Sequence, residues 1–124
     1  MLRHVGASFL GCVLLMAACS GGDSGTAVST TTEDGLLRVI TYDRQDFDAD
    51  LYKVPAGQIN IEYVLSGVQA HTLVVEGLEE EFRLEVGDKK VDSGSIRLTP
   101  GRYVLYCDIA GHRSSGMEAR LLVT

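Results

Sequence analysis

From Leu36 onward the chain is a series of short apolar runs broken by turn residues, the pattern of strands rather than of helices. The clearest run is Gln58–Leu65. There Ile59, Ile61, Tyr63 and Leu65 alternate with Asn60, Glu62 and Val64. A period of two turns one face to a core and the other to solvent. Leu36–Tyr42 is rich in β-branched residues, and Asp50–Val54 runs into a turn at Pro55-Ala56-Gly57. Thr72–Glu76, Phe82–Val86, Val91–Leu98, Arg102–Cys107 and Glu118–Thr124 complete the predicted strands. Turns are expected at Gly87-Asp88-Lys89 and at Pro100-Gly101. Leu78–Leu84 is the one stretch that reads as either helix or strand, and no internal repeat is present. Seven or eight strands at this spacing predict an all-β domain over residues 36–124, a Greek-key β-sandwich or small barrel.

The N-terminal pattern is different. Arg3 and His4 precede a largely apolar run from Val5 to Met16, too short to span a bilayer comfortably. It ends in Met16-Ala17-Ala18-Cys19, which resembles the lipobox cut by lipoprotein signal peptidase, with Met16 where Leu is preferred. That resemblance implies a signal peptide over residues 1–18 and a lipid on Cys19. A plain secretory signal and an uncleaved anchor are the alternatives. Residues 20–35 carry Gly, Ser, Thr and Asp, with Val28 as the one large apolar residue. Such a composition cannot bury a core, so residues 19–35 are expected to be a flexible tether with an r.m.s. reach of about 20–25 Å. The expected location is outside the cytoplasmic membrane, lipid-anchored and facing the periplasm or the cell exterior.

Length narrows the function. A chain of 124 residues excludes a multidomain enzyme, a TIM barrel and a full Rossmann domain. The net charge is −6, and loss of Arg3 with the signal makes it −7, which excludes nucleic acid as an expected partner. No nucleophile–base pair, phosphate loop or well-placed general acid is present, so no enzyme is expected. Glu79-Glu80-Glu81 reads as a solvated face or as a docking patch for a basic redox partner.

The cysteines carry the chemistry. Cys12 leaves with the signal and Cys19 takes the lipid, so Cys107 stands alone in an exported domain. An immunoglobulin-like sandwich has the same strand count but usually a Cys pair and a core Trp, and the domain has neither. A lone exported thiol is buried and inert, joined to another chain, or bound to a metal. Its neighbours favour the metal. His112 follows Cys107 by five residues, Met117 follows by five more, and His71 lies 36 residues upstream. Two imidazoles, one thiolate and a weak thioether are the donor set of a blue-copper electron-transfer site. Zinc, held by the two histidines and the cysteine with a water, is the chemical rival. A binuclear copper centre needs a second cysteine in the loop, and positions 108–116 contain none. Cys107 closes one strand, Met117 opens the last, and Gly111 lets the loop between them turn sharply.

Four segments together resemble the cupredoxins, the plastocyanin, azurin and auracyanin class. They are Val54-Pro55-Ala56-Gly57, His71-Thr72-Leu73-Val74-Val75, Tyr106-Cys107-Asp108-Ile109-Ala110-Gly111-His112 and Gly116-Met117. The resemblance covers roughly Asp46 to Thr124. It implies one type 1 copper ion, with His71, Cys107 and His112 as equatorial ligands and Met117 as the axial one. It also implies His112 as the electron port. The chain departs from the family at Thr72, where Asn is frequent, at Asp108, where Ser or Thr is common, and at Ala110, where Pro is common. A hydrogen bond from Thr72 to the Asp108 carboxylate is expected to replace the missing brace. Asp108 is also expected to place negative charge near the copper and lower its potential.

The expected function is a membrane-tethered carrier of single electrons between redox proteins such as a cytochrome or an oxidase. A monomer is expected. A copper carrier or storage lipoprotein uses the same ligands and is the main alternative, and a metal-free β-sandwich adaptor is the third.

Overall fold

The computed structural model describes residues 27–32 and 34–124. The expected signal peptide, Cys19 and most of the expected tether lie outside the described residues. Ten strands are formed among the described residues: β1 Val28–Thr30, β2 Leu36–Tyr42, β3 Asp46–Phe47, β4 Leu51–Val54, β5 Gly57–Ser66, β6 His71–Val75, β7 Arg83–Val86, β8 Val91–Leu98, β9 Gly101–Tyr106 and β10 Glu118–Val123. They form two sheets. One has six strands in the order β1-β4-β10-β9-β6-β7, and the other has four in the order β3-β2-β5-β8. The chain passes between the sheets at β1–β2, β3–β4, β4–β5, β5–β6, β7–β8 and β8–β9. This is the all-β sandwich that the strand pattern predicts.

The alternation in β5 is realised as read. Ile59, Ile61, Tyr63 and Leu65 are buried, and Asn60 between them is exposed. Leu37 and Val39 from β2 join them from the same sheet, while Leu73, Leu105 and Leu121 face them from the other. Buried tyrosine hydroxyls need partners. Tyr52 donates to Asp48 Oδ1 at 2.7 Å, and Tyr63 donates to the Thr72 carbonyl at 3.1 Å. Burial pushes both phenols upward, so they stay neutral.

The ambiguous stretch resolves without a helix. Glu81 and Phe82 N–H both bond the Leu78 carbonyl at 3.0 Å, a turn that ends at once in β7. Two strands went unpredicted. β3 is only two residues long, below any periodicity. β1 lies in the segment read as tether, yet it pairs in parallel with β4. Val28 is 51% exposed, so the pairing is made by backbone rather than by burial. β10 occupies one edge of β4, and β1 covers the other, whose polar backbone groups would otherwise stay open.

The pairing directions gather the candidate residues. β6 runs antiparallel to β9, with Val74 opposite Tyr106, so the start of β6 lies beside the end of β9. β10 is antiparallel to β9 on its other side, with Glu118 opposite Tyr106. His71, Cys107 and Met117 therefore meet at one end of the six-stranded sheet.

Candidate metal centre

His71 is set by the loop before it. Asp43 Oδ1 accepts the N–H groups of Val68 and Gln69, each at 2.8 Å, and Lys90 Nζ donates to the Gly67 carbonyl at 2.9 Å. The two N–H donors hold the Asp43 carboxyl below its usual range. Gly67 has φ +156°, and a Cβ there would collide with that carboxylate. One turn of sequence later, the Tyr63 hydroxyl holds the Thr72 carbonyl from within the core. Tyr63→Phe removes the donor of this buried bond. We expect it to cost about 1 kcal/mol. For a domain of this size that lowers the melting temperature of the metal-free protein by roughly 4–8 °C in a thermal melt.

The second loop closes on itself. Cys107 N–H bonds the Met117 carbonyl at 3.2 Å, and Met117 N–H bonds the His112 carbonyl at 3.1 Å. His112 N–H bonds the Ile109 carbonyl at 3.0 Å, and both Ser114 and Ser115 hydroxyls donate to the Gly111 carbonyl at 2.9 Å. Gly111 and Gly116 take φ of +83° and +111°, where a side chain is strained. The chain from Cys107 to Met117 is thus folded back so that both ends of the loop meet.

The result is a buried cluster of donors. One ligand atom each from His71, Cys107 and His112 lies within 4.8 Å of the others. His71 Nδ1 is 3.2 Å from His112 Nδ1, and Cys107 Sγ is 3.5 Å from the same nitrogen. The rings lie 5.1 Å apart at 60°. Exposures are 1% for His71, 0% for Cys107 and 7% for His112. Met117 is fully buried, and its backbone is bonded to both Cys107 and His112. Burial, and then the charge of His112, push the His71 imidazole downward, so it is neutral and free to donate a lone pair. Its Nε2 is buried with no hydrogen-bond partner. Two soft-to-borderline nitrogens and one sulfur, shielded from water, suit a late first-row transition metal.

The sulfur has a backbone donor. Thr72 N–H points to Cys107 Sγ at 3.4 Å. The Thr72 hydroxyl is 3.5 Å from the same sulfur, but its one proton goes to Asp108 Oδ1 at 2.7 Å. In return Asp108 N–H donates to the Thr72 hydroxyl at 3.0 Å. The bond expected between Thr72 and Asp108 is present. Register explains it, because continuing the Val74–Tyr106 pairing by two residues sets Thr72 opposite Asp108.

No protein-family model matches the sequence, and no curated protein matches it. Solved structures do match. Reduced auracyanin from the photosynthetic bacterium Roseiflexus castenholzii is similar with a TM-score of 0.64 and 16% identity, over 73% of this chain and 97% of that one. Auracyanin A from Chloroflexus aurantiacus, described as a "blue" copper protein, gives 0.61 and 15%, over 72% of this chain and 98% of that one. A chain of a heme-copper terminal oxidase dimer gives 0.59 and 20%, over 76% of this chain and 69% of that one. This chain has the cupredoxin fold.

Within that cupredoxin fold, the residues the sequence singled out lie at one end of the sandwich. Sequence reasoning missed Asp43, Tyr63 and Arg83. Asp43 is a surface residue whose two N–H partners are 25 and 26 residues away, so nothing local marks it. Arg83 gives Asp108, expected to place negative charge near the copper, a counter-charge that the sequence reading did not include. Its guanidinium binds Asp108 at both oxygens, 2.5 and 2.9 Å away. Glu79, from the acidic cluster, accepts the Tyr106 hydroxyl at 2.6 Å, so this carboxylate serves the outer face of the sheet.

Proposed function

We propose that this chain is a type 1 copper protein that carries single electrons outside the cytoplasmic membrane, held there by a lipid on Cys19. The observation that carries this reading is the buried convergence of two imidazoles and one thiol within 4.8 Å. The fold adds support, because a solved neighbour is described as a blue copper protein. His71, Cys107 and His112 would hold the ion, and Met117 would add a thioether as a weak fourth donor. Copper, when bound, supplies a one-electron couple.

The chain does the rest. Burial of the donors excludes water. The hydrogen bonds from Cys107 to Met117 and from Met117 to His112 keep the loop in one shape, so little need rearrange between oxidation states. His112 is the least buried of the three donors and is the port through which a partner exchanges an electron. Four protein donors leave no place for a substrate, so the domain carries electrons rather than turning over a reactant. The partners in this reading are a cytochrome or a terminal oxidase.

The test is spectroscopic. Residues 20–124 are expressed without the lipid, loaded with Cu(II) and compared with Cys107→Ala. An intense blue thiolate-to-copper band in the parent, absent from the variant, is expected. A colourless protein that holds Cu(I) tightly would establish the carrier or storage reading instead. Absence of any metal uptake would leave the adaptor.

A further inference from the structure

We infer that Arg83 is a positioning residue of this centre: through Asp108 and Thr72 it fixes the hydrogen bond to the Cys107 sulfur and cancels the one carboxylate charge beside it. The inference rests on the copper reading above for its redox part. Its structural part stands without metal.

The sheet register places the residues. In β6 and β7, Val74 lies opposite Arg83 and Thr72 opposite Glu85. In β6 and β9, Val74 lies opposite Tyr106. Side chains of paired residues share a face, so Arg83, Thr72, Val74, Tyr106 and Asp108 all project from the outer face of the sheet. His71, Leu73 and Cys107 project inward. Arg83 thus reaches Asp108 diagonally across β6, from outside the donor cluster.

The contacts form an unbroken chain. Arg83 Nη1 and Nη2 hold Asp108 Oδ2 and Oδ1, while its Nε holds Glu85 Oε1 at 3.0 Å. Asp108 Oδ1 takes the Thr72 hydroxyl proton, and Asp108 N–H bonds the same hydroxyl. Thr72 in turn presents its N–H to Cys107 Sγ. A two-toothed guanidinium fixes the plane of the carboxylate as a single donor does not. With the carboxylate fixed, the hydroxyl and the neighbouring N–H are fixed too.

Charge gives the same arrangement a second consequence. One-electron reduction by a redox partner lowers the net charge of the centre by one, with no proton moved. An uncompensated Asp108 carboxylate next to Cys107 opposes that electron, and Arg83 removes the opposition. Arg83 therefore keeps the potential higher than Asp108 alone would set it.

Two measurements on the full chain test this. In the metal-free protein, Arg83→Gln is expected to speed hydrogen exchange at the Thr72 and Asp108 amides. Arg38→Gln, which breaks a pair with Glu62 on the other sheet, is the control and is expected to leave them unchanged. Unchanged exchange in Arg83→Gln would overturn the positioning role. In the copper-loaded protein, Arg83→Gln is expected to keep its blue band and shift its midpoint potential downward. Arg83→Lys, which keeps the charge without the fork, is expected to stay near the parent potential while exchanging faster. The double variant Arg83→Gln with Asp108→Asn is expected to return toward the parent potential. A potential unmoved or raised in Arg83→Gln would overturn the charge role. Should Arg83→Gln fail to fold, Arg83→Lys carries the test, with faster exchange at the Thr72 and Asp108 amides expected and unchanged exchange overturning the positioning role. If the parent takes up no copper, the function proposed above fails, and the exchange measurement still decides whether Arg83 orders the cluster.

Discussion

Loading the metal-free domain with copper is expected to raise its melting temperature by on the order of 15–30 °C, and Cys107→Ala is expected to abolish the rise. Only the folded chain brings the donors together, because His71 and Cys107 are 36 residues apart in sequence and meet through the pairing of β6 with β9. A ligand that binds only the folded state at about 1,000 times its dissociation constant stabilises it by about 4 kcal/mol. Domains of this size shift by roughly 4–8 °C per kcal/mol. Calorimetry of the metal-free and loaded protein, and of the loaded protein after chelation, reads the difference directly. In Cys107→Ala the Thr72 N–H loses its sulfur partner, a penalty of about 1–3 kcal/mol for a buried donor left unpaired. That variant should fold, melt somewhat lower, and show the same transition with or without copper. A copper-induced rise in the variant equal to that of the parent would sink the thiolate site. Zinc offered instead of copper is expected to raise the transition without producing a blue band, since it has no redox couple.

The size of that shift bears on electron transfer as well as on stability. One donor atom from each of His71, Cys107 and His112 lies within 4.8 Å of the others. Their positions are set by bonds that do not involve metal: Asp43 to the loop before His71, Tyr63 to Thr72, and Cys107 to Met117. A frame built from the sheet and two closed loops does not follow the ion from one preferred geometry to another. In the copper reading proposed above, two oxidation states would then share one compromise arrangement, the condition for fast exchange of a single electron.

What the sequence made legible follows from the range of the signal. The alternation in β5 is a local signal, and the structure buries the residues it marks. The gathering of His71, Cys107 and His112 was legible because a lone cysteine in a domain expected to be exported demands an explanation, and these are the two histidines outside the expected signal. The pairing of Thr72 with Asp108 was legible only by comparison with a family in which that corner carries a brace. Arg83 was not legible at all. It lies 25 residues from Asp108, in a strand whose charged positions look like any solvated face. Only the combined register of β7, β6 and β9 sets it diagonally across from Asp108. β1 was missed for a related reason. Its contribution is backbone pairing to an open edge, and composition reports side chains.

Leu105→Ala is expected to remove about 2–5 kcal/mol of stability while leaving the colour of the loaded protein intact. Leu105 is fully buried in β9, two residues before Cys107 and on the same inward face. It packs with Leu73 and Leu121 in the core between the sheets. Truncation leaves a cavity that a two-sheet core closes only in part, because strand spacing is fixed by backbone bonds rather than by side chains. Against a total of about 5–15 kcal/mol the loss is large, and denaturant unfolding of the metal-free protein should show a lower midpoint with an unchanged slope. The sulfur, however, is not placed by Leu105. It is placed by the N–H of Thr72 and by the bond from Cys107 N–H to the Met117 carbonyl. Below its transition the variant should therefore bind copper and show the parent's blue band. Loss of the band in a variant whose circular dichroism still reports the folded sandwich would mean that core packing, not the hydrogen-bonded loops, sets the donor geometry. Retention of the band together with lowered stability separates the two, and assigns the fold to the core and the centre to its loops.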